Sequence, residues 1–233
     1  MTKKVAIVTA ASRGMGKACA EALHLAGYEL VLMARSEEII EVASSLNALA
    51  LQGAVDNPKD LEKLVQLAMD QYGRVDVLVN NTGHPPKGSL ITLSDEDWQK
   101  GSDLVLMNVI RMARLVAPIM EKQGGGSIIN ISTFAAYEPS LKFPISSAMR
   151  AALGAYTKLF AHEFGDANIR MNNILPGYIE SYPIDEETRV HIPLQRSGKL
   201  KEIANTAVFL ASEAAGYITG ENLKVDGGLS KHV

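Results

Sequence analysis

The chain has 233 residues, of which 47% are hydrophobic, and a formal net charge of −3. This composition fits one large α/β domain over residues 1–233, with enough apolar residues for a sizeable core. Charges of both signs are mixed along the chain and no run of 18 apolar residues occurs. We therefore expect neither nucleic acid nor a membrane as a partner.

Strands and helices are predicted to alternate along the chain, because short apolar runs rich in β-formers are separated by helical patterns. The predicted strands are Val5–Thr9, Glu29–Met33, a short segment ending near Val55, Val75–Val79, Ser127–Ile131, Ile169–Ile174 and Leu223–Val225. The predicted helices are Gly16–Leu25, Glu37–Leu46, Pro58 to about Tyr72, about Leu104–Lys122 and Pro144–Phe164. This order predicts a single Rossmann-type doubly wound parallel sheet of about seven strands, with helices on both faces.

A glycine-rich turn follows the first predicted strand. It reads Thr9-Ala10-Ala11-Ser12-Arg13-Gly14-Met15-Gly16 and leads into a helix. Backbone amides and the helix dipole at such a turn can hold a pyrophosphate, and glycines allow close backbone approach. An ordinary strand–helix turn is the alternative, because short glycine motifs recur by chance.

Further segments, in the same order, resemble the short-chain dehydrogenase/reductase family. They are Asn80-Asn81-Thr82-Gly83, Pro176-Gly177, Ile192-Pro193-Leu194 through Gly198, and Val225-Asp226-Gly227-Gly228. The resemblance covers the whole chain and is greatest to 3-oxoacyl-carrier-protein-reductase-like members. Ala10 departs from it, since the family usually has glycine there; if φ must be positive, alanine costs roughly 1–2 kcal/mol.

The resemblance implies a set of cofactor-binding residues. In the phosphate loop they are Thr9, Ser12, Arg13, Gly14, Met15 and Gly16. Asp56 is expected to meet the adenine amino group, and Asn81 and Gly83 to line the adenosine side. The loop after the sixth strand is expected on the nicotinamide side, through Pro176, Gly177, Ile179 and Ser181.

The end of the second strand favours NADP over NAD. A carboxylate there would hold the ribose hydroxyls of NAD, but the chain has Ala34-Arg35-Ser36. Arg35 is cationic and Ser36 is a small donor, and both suit a 2′-phosphate, which Arg13 could also contact. Solvated surface arginines are the alternative interpretation.

The family's proton-transfer residues are replaced in this chain. The family's spacing of its serine, tyrosine, lysine and asparagine places other residues at these positions here. In that order they are Thr133, Ser146, Arg150 and Val105. Thr133 keeps a hydroxyl that can orient a carbonyl, with Ser132 as the alternative. Ser146 is a far weaker acid than a phenol, and Arg150 is a permanently charged fork that suits ribose hydroxyls or a substrate carboxylate.

Loss of a general acid typically costs about 10²–10⁴ in rate, which is compatible with a slow enzyme or a different acid. Candidates for a different acid lie in loops after strands: Tyr137, Tyr178, Tyr182, His84 and Lys142. We take His84 or Tyr178 as the working hypothesis. A substrate lid is predicted at about 182–196. Cys19, the single cysteine, and the absence of a signal-peptide pattern at Met1–Lys4 favour a cytoplasmic protein.

The favoured function is an NADP(H)-dependent oxidoreductase acting on a small carbonyl or alcohol substrate, without a metal. One alternative is a non-catalytic NADP-binding sensor or partner subunit, because the nucleotide site is kept while the proton-transfer positions are changed. Another is a non-redox lyase or isomerase that reuses the pocket. The resemblance implies a homo-oligomer, a tetramer or dimer, in which the helices at about 104–122 and 145–164 pair.

Overall fold

A computed structural model describes residues 3–232 and places seven strands of that range in one sheet. They are β1 (Val5–Thr9), β2 (Glu29–Ala34), β3 (Leu49–Gln52), β4 (Val77–Asn80), β5 (Gly126–Ile131), β6 (Ile169–Pro176) and β7 (Asn222–Val225). Neighbouring strands run parallel in the order β3-β2-β1-β4-β5-β6-β7. The predicted doubly wound sheet is confirmed.

Helices connect the strands and cover both faces of the sheet. They are α1 (Gly14–Leu25), α2 (Glu38–Ser45), α3 (Pro58–Tyr72), α4 (Asp95–Ser102), α5 (Asn108–Lys122), α6 (Pro144–Phe164), α7 (Glu186–Val190) and α8 (Leu200–Ala211). Ser94 begins α4 in a capping box with Asp97, and the Asn57 side chain caps α3 ahead of Pro58, which explains why these helices begin there. Within residues 3–232, no helix is both long and apolar enough to cross a membrane.

Two apolar layers pack on the sheet, one on each face. Alternate residues of β1 supply both layers: Val8 packs with residues of α1, α2 and α8, whereas Ile7 packs with residues of α3, α5 and α6. Cys19 is fully buried in the first layer, and burial raises the pKa of its thiol to about 12. This thiol therefore packs as a small apolar side chain.

The structure differs from the sequence prediction mainly around the helices. The helix expected from Leu104 is the end of a longer one: α4 continues through a π-helical turn, Asp103–Met107, into α5. Helix α8 was not predicted, although its buried residues Ile203, Ala207 and Leu210 recur at helical spacing. The third strand ends at Gln52 rather than near Val55, and the chain turns at residues 55–56 before α3.

Four asparagines form a hydrogen-bonded ladder across β4, β5, β6 and β7. Asn80 donates to Asn130 at 2.9 Å, Asn130 to Asn173 at 2.8 Å, and Asn173 to Asn222 at 2.7 Å. Each pair is in direct register between neighbouring strands. Thr157 of α6 donates to the Asn173 side chain at 3.0 Å, so the ladder also fixes α6 over the sheet.

Candidate functional site

The turn between β1 and α1 brings the helix start tightly against the loop. Gly14 has φ +58°, and a Cβ at this residue would meet nothing within 4 Å. A Cβ on Gly16 would lie only 2.3 Å from the carbonyl oxygen of Ala10 and 2.7 Å from Nδ2 of Asn81. Only glycine fits position 16. Its close approach to Ala10 leaves the backbone amides at the N-terminus of α1 directed at the carboxyl edge of the sheet, where they suit an anion.

Ala10 occupies a left-handed conformation, with φ +48°. A residue with a side chain is destabilised by roughly 1–2 kcal/mol in this conformation, so the condition stated for the sequence is met. The loop keeps its turn despite the alanine.

Thr9 and Asn81 tie the ends of β1 and β4 together. The Thr9 hydroxyl donates to the carbonyl oxygen of Asn81 at 2.7 Å and accepts from the Asn81 amide at 2.9 Å. The Asn81 side chain donates to the carbonyl oxygen of Ala10 at 3.2 Å. The side chains of this pair thus hold the loops in place.

At the end of β2, Arg35 and Ser36 are both exposed. The Ser36 hydroxyl lies 3.1 Å from the Ser12 hydroxyl, which joins this strand end to the phosphate loop. Nη2 of Arg35 lies 3.8 Å from the place a Cβ on Gly83 would take, so the guanidinium reaches the loop after β4. Among residues 3–232, neither Arg35 nor the exposed Arg13 forms an ion pair, and each is available to an anion.

Asp56 follows β3 in the turn before α3 and is half-buried. The structure therefore places it at the same carboxyl edge as the phosphate loop. Its carboxylate has no hydrogen-bond partner in the described part of the chain.

Thr133 and Ser146 begin two successive segments after β5. Thr133 caps the 3₁₀ turn Phe134–Ala136, and its hydroxyl accepts from the Ala135 amide at 3.4 Å. Ser146 is half-buried in the first turn of α6 and has no hydrogen-bond partner within the described range. Both hydroxyls are therefore open to a ligand group, Thr133 through its donor proton.

Arg150 lies one turn further along α6 and is only 7% exposed. Its Nη1 donates to the carbonyl oxygen of Ile131 at 2.6 Å, whereas its Nε is buried and has no partner in residues 3–232. Burial lowers the pKa of the guanidinium to about 10, so it remains protonated at neutral pH. The site thus contains a buried cation.

Val105 lies in the π-helical turn and is 1% exposed. Its side chain has no polar group that could take part in a proton relay, the role of the asparagine in the family. Asn108, the nearest asparagine, donates from its side chain to the carbonyl oxygen of Leu104 in its own helix. Its Oδ1 is buried and without a partner among the described residues.

His84 and Tyr182 join the loop after β4 to the segment after β6. Nε2 of His84 lies 2.9 Å from the Tyr182 hydroxyl, and the two rings meet edge to face. Partial desolvation, with smaller effects from Lys87 and Arg150, lowers the pKa of His84. The imidazole is therefore neutral at pH 7 and can share a proton with the phenol.

Of the other proposed acids, Tyr178 is placed more favourably than Tyr137 and Lys142. Tyr178 packs against Phe134 at 5.6 Å between ring centroids, next to Thr133. Tyr137 instead packs against His232 at 4.7 Å, on the C-terminal segment. Lys142 is exposed in the loop before α6. Tyr178 and the His84–Tyr182 pair remain the groups best placed to face a ligand.

The segment after β6 is closed at its base by a short bridge. Ile179 pairs with Gly198, through hydrogen bonds of 2.9 Å from Glu180 and 2.8 Å to Tyr178. Gly177 approaches the loop after β7 closely, since a Cβ there would lie 2.8 Å from Cα of Asp226. Ser181 is exposed just beyond the bridge. The chain between the bridge residues, which includes α7, is thus a loop anchored at both ends.

Two features of the site were not singled out from the sequence. Nζ of Lys87 lies 5.1 Å from the centre of the Phe143 ring, at the start of α6. The Thr82 hydroxyl is buried and without a partner within residues 3–232, and so is the hydroxyl of Ser132, which the sequence offered only as the alternative to Thr133. Their positions directly after β4 and β5 were the available signal, because ligands bind at that edge.

Comparison with known proteins gives similarity over almost the whole chain. The family model described as Enoyl-(Acyl carrier protein) reductase matches residues 9–230. A 3-oxoacyl-[acyl-carrier-protein] reductase of Synechocystis is 36% identical over 98% of each chain. L-sorbose reductase from Gluconobacter frateurii, solved with NADPH and L-sorbose, has a TM-score of 0.93 and 32% identity over 100% of this chain and 98% of its own. A 7α-hydroxysteroid dehydrogenase, solved with NADH and 7-oxo glycochenodeoxycholic acid, has a TM-score of 0.92 and 31% identity over 97% of this chain and 93% of its own.

Proposed function

Because this chain belongs to the short-chain dehydrogenase/reductase family, we propose that it is an NADP(H)-dependent oxidoreductase of a small carbonyl or alcohol substrate. The observation that carries this proposal is the basic end of β2. Arg35 reaches the loop after β4, and Ser36 contacts Ser12 of the phosphate loop. The Ser36 hydroxyl also lies 3.3 Å from the Glu38 carboxylate, so the 2′-phosphate of the cofactor would pair with the cationic groups of this edge, Arg35 and Arg13.

The phosphate loop fits a dinucleotide. The tight start of α1 at Gly16 leaves helix amides to face a pyrophosphate, and Gly14 has no neighbour that a ligand would displace. The residues that would hold the phosphates and adenosine are Thr9, Ser12, Arg13, Gly14, Met15, Gly16, Arg35, Ser36, Asp56, Asn81 and Gly83. The nicotinamide side would rest on Pro176, Gly177, Ile179 and Ser181, with Arg150 beneath it.

The reacting oxygen of the substrate would be held by the Thr133 hydroxyl, whose proton is free because the oxygen accepts from the Ala135 amide. Ser146 would donate or relay a proton weakly, and its alcohol is too poor an acid to replace a phenol fully. The Tyr182 phenol is a second candidate proton donor, since it lies 2.9 Å from Nε2 of the neutral His84 imidazole, which can accept a hydrogen bond from it and hold it in place. NADPH, held by the phosphate-loop residues, would supply the hydride when bound.

A non-catalytic NADP-binding protein is the second candidate. It is favoured by the position of Val105, which is buried and apolar where the family's relay needs a polar side chain. On this proposal the cofactor would bind and no substrate would be turned over.

The experiment that separates the candidates is NADPH consumption across a panel of small ketones, with Gly16→Ala as the cofactor-site control. Oxidation of NADPH by the natural chain, lost in Gly16→Ala, supports the oxidoreductase. Binding of NADPH without turnover of any ketone supports the sensor. Conversion of a substrate with no change in NADPH would instead point to a lyase or isomerase.

We further propose that residues 182–196 act as a substrate lid on a single domain, and that the protein is a cytoplasmic homotetramer or dimer. The bridge between Ile179 and Gly198 supports the lid, because it anchors both ends of the loop.

Leu159 of α6 is 67% exposed, as expected for a helix face covered by a second copy. Sedimentation of Leu159→Glu beside the natural chain tests the assembly.

A further inference from the structure

The Arg150 guanidinium is a buried charge without a counter-ion. It is 7% exposed, and no carboxylate forms an ion pair with it in residues 3–232. The one hydrogen bond it makes with the described residues is from Nη1 to the neutral carbonyl oxygen of Ile131. Burial of a charge is costly unless the charge is paired, so the side chain is satisfied only in part.

Nε and Nη2 of Arg150 have no partner among the described residues, and in two other arginines of this chain the same two atoms bind a carboxylate. Arg74 engages Asp76 through Nε and Nη2, and Arg189 engages Glu186 through the same two atoms. In Arg150, Nε is buried without a partner among the described residues, and Nη2 has no hydrogen bond there. The edge is therefore suited to a planar anion that accepts two hydrogen bonds.

The surroundings of Arg150 add polar donors. The Ser132 hydroxyl, directly after Ile131, is buried and has no partner within the described range. Lys87 lies over the Phe143 ring at the beginning of α6 and forms no ion pair within residues 3–232. An unpaired hydroxyl therefore follows the residue that Arg150 contacts, and Arg150 and Lys87 are both near enough to His84 to lower its pKa.

We propose that Arg150 binds the carboxylate of the substrate, so that this protein acts on an oxo acid or the matching hydroxy acid. This inference rests on the proposed function. Ribose hydroxyls of the cofactor can accept hydrogen bonds from Arg150, but they are neutral and leave its charge uncompensated. With serine at position 146 in place of an aromatic side chain, α6 also presents less bulk one turn before Arg150.

The test is calorimetric titration of the protein saturated with NADP⁺, which cannot reduce a ketone. The ligands are pyruvate, acetoacetate and levulinate, each beside its methyl ester, so that each pair differs mainly in charge. At least one acid is expected to bind about tenfold or more tightly than its ester, as a charge-assisted pair predicts. Arg150→Met should abolish this preference, and Arg150→Lys should retain part of it.

Arg170→Met is the matched control. Arg170 is a partly buried arginine at the opposite end of the sheet, where it is the second residue of β6. It should keep the preference for the acid. The inference is overturned if no acid binds better than its ester, or if the preference survives in Arg150→Met. A loss of NADP⁺ affinity in Arg150→Met with acid and ester equal would assign Arg150 to the ribose instead.

Failure of the proposed function gives a different result. If the natural chain does not bind NADP⁺, the same acid and ester pairs are titrated without cofactor, and the preference still decides the role of Arg150. Thermal unfolding of each variant shows whether it is folded, and Arg150→Lys, which keeps the charge, supplies the comparison if Arg150→Met is not.

Discussion

Nη1 of Arg150 donates to the carbonyl oxygen of Ile131 at 2.6 Å, which ties the middle of α6 to the last residue of β5. Arg150, at the position where the family carries a lysine, therefore both holds α6 against β5 and supplies a positive charge to the site. A shorter, unforked cation would not reproduce both roles, since arginine and lysine differ in geometry.

Restoring the family's pair should raise activity. In the double variant Ser146→Tyr with Arg150→Lys, a phenol and an ammonium stand one helical turn apart on α6, and turnover of a ketone substrate should rise by about 10²–10⁴. Steady-state NADPH oxidation measures it. Each single change should give less, because the phenol needs the cation to lower its pKa. Unchanged turnover with intact NADPH binding would show that these positions do not face the substrate.

Ala10→Gly should stabilise the protein, because it removes a side chain from a residue with φ +48°. The gain of roughly 1–2 kcal/mol from relieved strain is reduced by the greater freedom of glycine in the unfolded chain, so we expect about 0.5–1 kcal/mol. Denaturant unfolding measures it. Ala151→Gly, on the exposed side of α6, should lower the free energy of unfolding by about 1 kcal/mol. A loss of stability in Ala10→Gly would contradict the left-handed conformation.

The asparagine ladder makes Asn130 a sensitive position. Asn130→Leu keeps the size of the side chain but removes two hydrogen bonds of the ladder: the Asn80 amide loses its acceptor, at a cost of about 1–3 kcal/mol, whereas Asn173 keeps the hydrogen bond from Thr157. We expect a loss of about 2–4 kcal/mol in the free energy of unfolding. Asn57→Ala, which removes one exposed helix cap, should cost about 1 kcal/mol. Equal losses in the two variants would mean that the ladder contributes no more than a cap.

Arg35→Asp should move the cofactor preference from NADPH towards NADH. A carboxylate at the end of β2 repels a 2′-phosphate and accepts from ribose hydroxyls, so NADPH affinity should fall about tenfold or more while NADH affinity rises. Fluorescence titration with both cofactors measures the ratio. Lys201→Asp, a charge reversal at an exposed position of α8, should leave the ratio unchanged. A ratio that does not change in Arg35→Asp would remove Arg35 from the 2′-phosphate site.

The sheet was predictable because β1, β2 and β4 are largely apolar runs and the helices between the strands have their own period. At position 10 the resemblance raised a cost only on the condition of a positive φ, because the family usually has glycine there, and the structure meets that condition with φ +48°. Helix α8 carried a readable signal in Ile203, Ala207 and Leu210 that was overlooked.

The polar interactions of the site depend on tertiary structure. The register between strands far apart in sequence brings Asn80, Asn130 and Asn173 together, and the spacing of these residues along the chain does not reveal it. The same holds for the pairing of His84 with Tyr182 across two loops. The lack of a partner on Nε of Arg150 follows from what surrounds α6, whereas the sequence shows only that an arginine replaces a lysine.

The most direct test of the central claim is a calorimetric titration of the natural chain with NADPH and, separately, with NADH. Binding of NADPH about tenfold or more tightly than NADH is the predicted result, since on the proposed function Arg35 and Ser36 would meet the 2′-phosphate and no carboxylate follows β2 directly. Binding of neither cofactor would contradict the account of the phosphate loop. Equal or tighter binding of NADH would contradict the assignment of the β2 end to NADP.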